Sequence, residues 1–368
     1  MSAKRSGLPV FWDGFGFCEK FSGISTYARE IARVFPESRV KPGLIHAEKS
    51  SGGTRALSYP GFKLFWPVLA YQQALARTGQ EELIFHGLSN INLPVVGAKK
   101  KSRFVITLHD LIPLLPESGV SVSLEMQFRI ALPRVLRLAD KIICVSDWTR
   151  DVLGQKFPWA IEKAVVIPNG SDSGLASEGA STSDGADLKE DDARVTLGTV
   201  SRFEPYKRIH WIPELLARLP EHFRWQVVTC QKGLRYLQKH SGDLLSKGRL
   251  RVQTGLDSKG LPGFYRSLDH YIHLSRYEGY GLPVWEALSY RKEVLWQGGS
   301  ALDCLRGFPY GKGLPENAGL ELWADAIGSL KSAKELSGLV NYDELLKPFY
   351  HTWEGAAKAL DQVYNNLN

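Results

Sequence analysis

Asp269 to Tyr290 reads DHYIHLSRYEGYGLPVWEALSY. The stretch opens with a short run of β-formers and closes with an apolar segment of helical spacing, and Gly279, Gly281 and Pro283 lie between them. A single helix across it is disfavoured, because two glycines and a proline fall near its middle. The stretch predicts a strand, a tight turn and a helix, with Pro283 in the helix's first turn. Two carboxylates flank the turn: Glu278 at the strand end, and Glu286 expected in the first helical turn, where the helix dipole favours an acid.

The same rhythm extends in both directions. Apolar runs at 83–86, 104–108, 141–145 and 164–167, then 194–200, 225–230, 250–254, 270–274 and 294–297, alternate with longer amphipathic stretches. Such alternation is the pattern of β-α-β units around parallel sheets, and a chain of 368 residues has room for two of them. The fold class expected is α/β, with two doubly wound domains. Residues 173–192 hold six acids and one lysine and no aromatic, and are expected to form a flexible interdomain loop. The boundaries expected are 1–172, that loop, 193–350, and a C-terminal helix at 351–368 that packs back across the domains.

Composition narrows the class of protein. An apolar fraction of 43% and a charged fraction of 23% are ordinary for a globular chain. No apolar run is long enough to cross a membrane, and no signal peptide is expected from the first residues. Cys18, Cys144, Cys230 and Cys304 are widely spaced, which fits neither a zinc site nor a disulfide framework and is simplest in a reducing cytoplasm. The net charge of +7 attracts anions, but no zinc-finger, RNP-like or basic heptad pattern accompanies it, so no nucleic-acid partner is expected.

Ligands of open parallel sheets bind beyond the carboxyl ends of the strands, so the residues just after each strand carry the functional signal. RVTLGTVSRFEPYKR, 194–208, runs from a strand into Ser201, Arg202 and Lys207. A planar guanidinium and a point-charge ammonium on one loop suit a diphosphate. At Gly279 to Leu282, turn N–H groups and a helix N-terminus make a second anion site. Glu278 beside an anion makes electrostatic sense if it accepts hydrogen bonds from sugar hydroxyls. His109 and Asp110 end the apolar strand of RFVITLHD, and Gly23 leads a glycine-rich segment into an amphipathic helix bearing Ile24, Tyr27, Ile31 and Val34. The segment lacks the third glycine of a dinucleotide fingerprint, so NAD is not indicated. No Asp-x-Asp ends an apolar strand, so no metal is expected.

These residues resemble the retaining glycosyltransferases of the GT-B fold, within them glycosyltransferase family 4 (group 1). SRYEGYGLPVWEAL resembles the family's E-x7-E motif, GTVSRFEPYKR its phosphate-binding strand and loop, and VQTGLDSKGLPGFYRSLDHYIHLS the stretch before the acids. ADKIICVSDWTRDVL with VVIPNG is similar to the end of its first domain, and FYHTWEGAAKALDQVYNNL to its C-terminal helix. The resemblance implies two Rossmann-like domains facing a central cleft. It also implies a retaining, metal-independent hexosyltransferase that moves sugar from a nucleotide-diphosphate donor to a glycan or lipid-linked acceptor in surface polysaccharide synthesis.

The roles implied are specific. Arg202 and Lys207 would hold the diphosphate with Ser201, and Glu286 the ribose. Glu278 with the backbone of Gly279, Tyr280, Gly281 and Leu282 would hold the sugar, His109 would contact that sugar, and Gly23 would mark a loop near the phosphates. HDLIPLLPE favours a GDP-mannose-like donor, as in mannosyltransferases. No cofactor is implied beyond the donor substrate. VVTCQKG at 227–233 and WQGGSALDCLRGFPYGKG at 296–313 depart from the family pattern. A GT-B sugar-nucleotide epimerase or hydrolase, and a non-catalytic sugar-nucleotide-binding protein, stand as alternatives. Lys99, Lys100, Lys101 and Arg103, with the helix FRIALPRVLRLAD, invite a peripheral membrane contact for an otherwise cytoplasmic protein.

Overall fold

The computed structural model describes residues 8–13, 22–35, 66–78, 82–171, 194–256, 260–331 and 341–367. The acidic segment 173–192, Cys18 and most of the glycine-rich segment before Ser22 lie outside the described residues. The chain divides into two compact units, Met1–Leu115 with Ser121–Gly170 and His351–Asn368, and Pro116–Val120 with Ser171–Tyr350. No helix among the described residues is long and apolar enough to cross a membrane.

In the first unit the strands β1 (Val10–Trp12), β2 (Ile84–Gly87), β3 (Arg103–Leu108), β4 (Lys141–Cys144) and β5 (Ala164–Val166) lie side by side in that order. All the pairs are parallel. Parallel strands covered on both faces read as continuous apolar runs, which is why VFW, FVITL and IIC are buried without alternation. Phe11, Tyr71, Phe85, Phe104, Leu132 and Val135 fill one side of this core. β1 was not expected, since three residues are too few to show a period.

The helix Gly23–Val34 starts from a capping box in which the Ser22 and Ser25 side chains each accept a hydrogen bond from the other's backbone N–H. Tyr27 and Ile31 are buried, while Ile24 and Val34 are half-buried. The C-terminal helix Trp353–Asn365 belongs to this unit and packs on Gly23–Val34, with the Tyr27 and Trp353 rings 6.0 Å apart.

A buried chain of hydrogen bonds fastens that helix to the sheet. Trp12 Nε1 donates to Tyr364 Oη at 2.8 Å, and Tyr364 Oη lies 2.6 Å from His86 Nδ1. His86 Nε2 lies 2.8 Å from Thr107 Oγ1, which lies 3.3 Å from Tyr27 Oη. Indole can only donate, so Tyr364 Oη accepts from Trp12; among the described residues its own hydrogen has no acceptor but His86 Nδ1, to which it is donated. Nε2 then carries the imidazole hydrogen and donates to Thr107. Burial, with His109 nearby, pushes the pKa of His86 down to about 3, so the ring is neutral.

The second unit holds β6 (Val195–Val200), β7 (Phe223–Thr229), β8 (Leu250–Thr254), β9 (His270–His273), β10 (Glu293–Gln297) and β11 (Gly311–Leu314). Their spatial order is β11-β10-β9-β6-β7-β8, all parallel. The chain winds outward from β6 in one direction and from β9 in the other, so the order reverses between these two strands. That switch point is where doubly wound sheets take ligands. β11, GKGL, carries two glycines and no strand signal in sequence; Gly311 and Gly313 pack against the Trp296 ring, which a side chain would displace.

β6 and β9 share only the pairs Leu197↔His270 and Gly198↔Tyr271. Beyond them side chains replace the ladder. Thr199 Oγ1 donates to Ile272 O at 2.8 Å, and Tyr271 Oη accepts from Val200 N at 3.1 Å and donates to Val200 O at 3.2 Å. Gly198 is required beside Leu268, since a Cβ there would lie 2.0 Å from Leu268 Cδ1.

Two outcomes test the first unit. Tyr364→Phe leaves Trp12 Nε1 and His86 Nδ1 without the partner each has in Tyr364, so it should cost about 1–3 kcal/mol per buried group in urea unfolding. His86 is ordinarily half-protonated at 6.5 but refuses the proton in the native state down to about 3. The unfolded chain therefore binds more protons in that window, and stability is lost as the pH drops below 6.5, at up to about 1.4 kcal/mol per pH unit. Unfolding between pH 7 and pH 5 should show that slope, and His86→Gln should reduce it.

Candidate active site

Two loops leave the switch point. After β6, Ser201 and Arg202 lead into a 3-10 turn at Pro205–Lys207; after β9, Ser275 to Gly281 lead into the helix Leu282–Ser289. A backbone bond joins them, Arg276 N to Tyr206 O at 2.8 Å. The second loop is held further by Tyr277 Oη, which donates to Pro116 O at 2.9 Å, and by the Arg276–Glu117 ion pair.

Glu278 is buried at the end of this loop, and both of its donors meet one oxygen. Lys207 Nζ pairs with Oε1, and His273 Nε2 lies 2.7 Å from the same atom. A carboxylate only accepts, so Nε2 carries the hydrogen. Among the described residues none reaches Oε2. Burial raises the Glu278 pKa, but Lys207 and then His273 outweigh it and hold the carboxyl well below the usual range. The site therefore presents the second oxygen of a carboxylate that Lys207 and His273 keep ionised.

Gly281 starts the helix in the left-handed conformation, φ +85°, and a Cβ there would lie 2.7 Å from Leu302 Cδ2. Gly279 does not adopt a positive φ, so the tight turn is made at Gly281 alone. Leu282 and Pro283 open the helix; Pro283 has no N–H, and Val284 N and Trp285 N donate to Gly281 O at 2.9 and 3.5 Å. The Tyr280 ring stacks on Trp285 at 5.7 Å, and Leu282 is buried.

Glu286 differs from expectation. The helix begins at Leu282, so its first turn holds no acid and Glu286 falls beyond it. Its Oε2 accepts from Tyr265 Oη at 2.6 Å. Burial and Glu286 together push the Tyr265 pKa well up, so that hydroxyl keeps its proton and stays a donor.

The expected cations behave differently from each other. Lys207 is largely buried and paired, and also lies 5.2 Å over the Tyr206 ring. Arg202 is exposed, and no described residue pairs with its guanidinium. Ser201 Oγ is turned to Arg202 O at 3.2 Å. Ser201, Arg202, Lys207, Glu278, Gly279, Tyr280, Gly281, Leu282 and Glu286 all belong to the second unit.

His109 and Gly23 belong to the first unit. His109 follows β3 and is buried; its Nε2 donates to Leu88 O at 2.9 Å, and its backbone N–H donates to Asn90 at 2.6 Å. Its ring meets the Tyr27 ring edge-on at 5.0 Å. Gly23 is the exposed first residue of the helix that carries Tyr27. Asp13, at the end of β1, is fully buried and binds Leu88 N at 2.5 Å and Asn92 Nδ2 at 3.0 Å, so it shapes the loop against which His109 rests.

Sequence reasoning missed His273, Tyr265 and Tyr271. A signal for His273 exists: HYIH places two histidines in a central strand, where an unpartnered polar group is costly. At Cys230, an anticipated departure, burial raises the thiol pKa but the N–H groups of Gly233, Phe203 and Lys232 lower it overall.

Two parallel sheets, the second opening on a glycine-started helix, make this an α/β protein of two doubly wound units. Across 98% of this chain and 99% of the other, the fold superposes with a TM-score of 0.71 on a sucrose-phosphate synthase from Thermosynechococcus elongatus, at 18% identity. HepE from Anabaena, solved with UDP and glucose, gives 0.70 at 16% identity over 98% of this chain and all of its own. A glycosyltransferase from Rickettsia africae gives 0.64 at 12% identity over 98% of both chains. Residues 21–174 match the family model described as Glycosyltransferase Family 4, and residues 182–297 that of Glycosyl transferases group 1. No curated protein sequence matches the chain significantly. The chain belongs to the group 1 glycosyltransferases of family 4.

Gly281→Ala forces a side chain into the left-handed region and against Leu302. It should destabilise the protein by about 1–3 kcal/mol, measured by chemical denaturation.

Proposed function

We propose that this glycosyltransferase moves a hexose, with retention of configuration and without a metal, from a nucleotide-diphosphate sugar to a glycan or lipid-linked acceptor. A GDP-mannose-like donor is favoured by HDLIPLLPE, and surface polysaccharide synthesis in the cytoplasm is the setting. The observation that carries the reading is Glu278: ionised, pinned at Oε1 by Lys207 and His273, with Oε2 left for a ligand hydroxyl. Arg202, exposed one loop away and paired with no described residue, supports the diphosphate end of the same ligand.

The chemistry follows from charge. Breaking the bond between the anomeric carbon and the phosphate oxygen sends the electron pair to the diphosphate. Arg202, the N-terminus of Leu282–Ser289 and Lys207 stabilise that charge where it develops. An acceptor hydroxyl attacks the anomeric carbon from the face the diphosphate leaves, and its proton passes to a phosphate oxygen. No protein nucleophile is consumed. Glu278 orients the sugar, and Glu286 offers its carboxylate for the ribose.

Lys207 has two suitors in this scheme. It pairs with Glu278 Oε1, so a diphosphate must draw it away or share it.

A peripheral membrane contact is part of the proposal. Phe128, Ala131, Leu132, Val135 and Leu136 turn one side of Val122–Leu138 to the core, while Val122, Met126 and Ile130 stay exposed beside Arg129, Arg134 and Arg137. Lys99, Lys100, Lys101 and Arg103 are exposed in the same unit. Sedimentation with anionic liposomes, absent with neutral ones, is the expected result.

Thermal shift with a panel of nucleotides and nucleotide sugars tests the donor, since a ligand of the native state raises its stability. GDP-mannose should stabilise more than UDP-glucose. Arg202→Ala and Lys207→Ala should each lose about 10²-fold in transfer while remaining folded, and chelator should leave transfer unchanged. Near-normal turnover in either variant, or loss with chelator, would count against the assignment.

A further inference from the structure

Glu278 has two donors of unequal freedom. Lys207 reaches Oε1 at the end of a four-carbon stem and is the same cation that a diphosphate attracts. His273 reaches Oε1 from within β9, and its side chain is only 3% exposed. Its ring stacks near-parallel to Tyr271 at 6.1 Å, and the Tyr271 hydroxyl clamps both backbone groups of Val200 on β6. The imidazole is therefore fixed by the sheet. A carboxylate this deeply buried is costly once every donor leaves it, and it then takes up a proton.

We infer that His273 is a positioning residue for Glu278: its Nε2–H holds Oε1 when Lys207 turns to the donor diphosphate, so that Oε2 stays ionised and aimed at the sugar. The inference rests on the donor-site reading given above. The sequence from β6 outward, Val200 to Tyr271 to His273 to Glu278, makes the switch point of the sheet the support for that carboxylate. Two donors on one oxygen allow one to be withdrawn while the other keeps the geometry, which a single lysine partner does not. The other titratable groups facing this assembly are Lys207 and Tyr271, with Glu286 acting on Tyr271.

His273→Phe keeps an aromatic ring and removes the N–H; His273→Gln restores a neutral N–H donor. Nucleotide release from GDP-mannose, with UDP-glucose beside it, is followed against pH for both variants, and folding is checked by thermal unfolding. In His273→Phe, kcat should fall about 10- to 100-fold and its acid limb should move to higher pH, with a smaller change in KM. His273→Gln should recover most of kcat and return the acid limb towards the wild-type position. A folded His273→Phe with wild-type kcat and acid limb overturns the inference. So does a folded His273→Gln as impaired as His273→Phe, since packing alone then explains the loss. If His273→Phe does not fold, His273→Gln decides: a wild-type acid limb with most of kcat retained supports the inference, and a displaced limb overturns it. Glu278→Gln separates the two levels: full activity there overturns the donor-site reading itself, whereas its inactivity beside an unaffected His273→Phe overturns only the role of His273.

Discussion

The second unit depends on how β6 and β9 meet. Only two residue pairs join them, around Gly198, and beyond that point the sheet is held by Thr199 and by the Tyr271 hydroxyl instead of a ladder. A strand pair that separates before its carboxyl end leaves room for the two loops that follow. Those loops carry Arg202 and Lys207 on one side and Glu278 with Gly281 on the other. The partnership of Lys207 with Glu278 spans 71 residues of sequence and exists because the strands bearing them are neighbours.

The same economy appears in the first unit. The C-terminal helix returns to this unit, and Tyr364 enters the sheet's hydrogen-bond chain beside Trp12 and His86. Trp12, Tyr364 and His86 take definite donor and acceptor roles, because an indole can only give and a neutral imidazole must do one of each. Buried polar groups in that arrangement fix one packing of the helix, since an unmade bond there carries the full desolvation cost. Asp13, equally buried, does the same for the loop under His109.

Much of this was legible in the sequence. The strand runs at 104–108, 141–145, 250–254 and 270–274 correspond to β3, β4, β8 and β9 within a residue or two at each end, because fully buried parallel strands announce themselves as apolar runs. The turn at Gly281 was visible from glycine and proline. The start of the following helix was not, because a left-handed cap at Gly281 admits Leu282 as its first residue and moves Glu286 past the first turn. β1 and β11 were hidden by shortness and by glycine.

What the sequence determined on its own was local: strand, turn and helix order, the acids on each side of the turn, and the cations that follow β6. Its motifs also identified the family. The tertiary structure decided partnership. It withdrew Lys207 into an ion pair, left Arg202 exposed, gave Glu286 to Tyr265, and brought His273 under Glu278. The physical reason is that periodicity and turn chemistry are encoded within a few residues, whereas the partner of a buried charge is set by which strands lie side by side. An apolar pattern makes strands without stating their order.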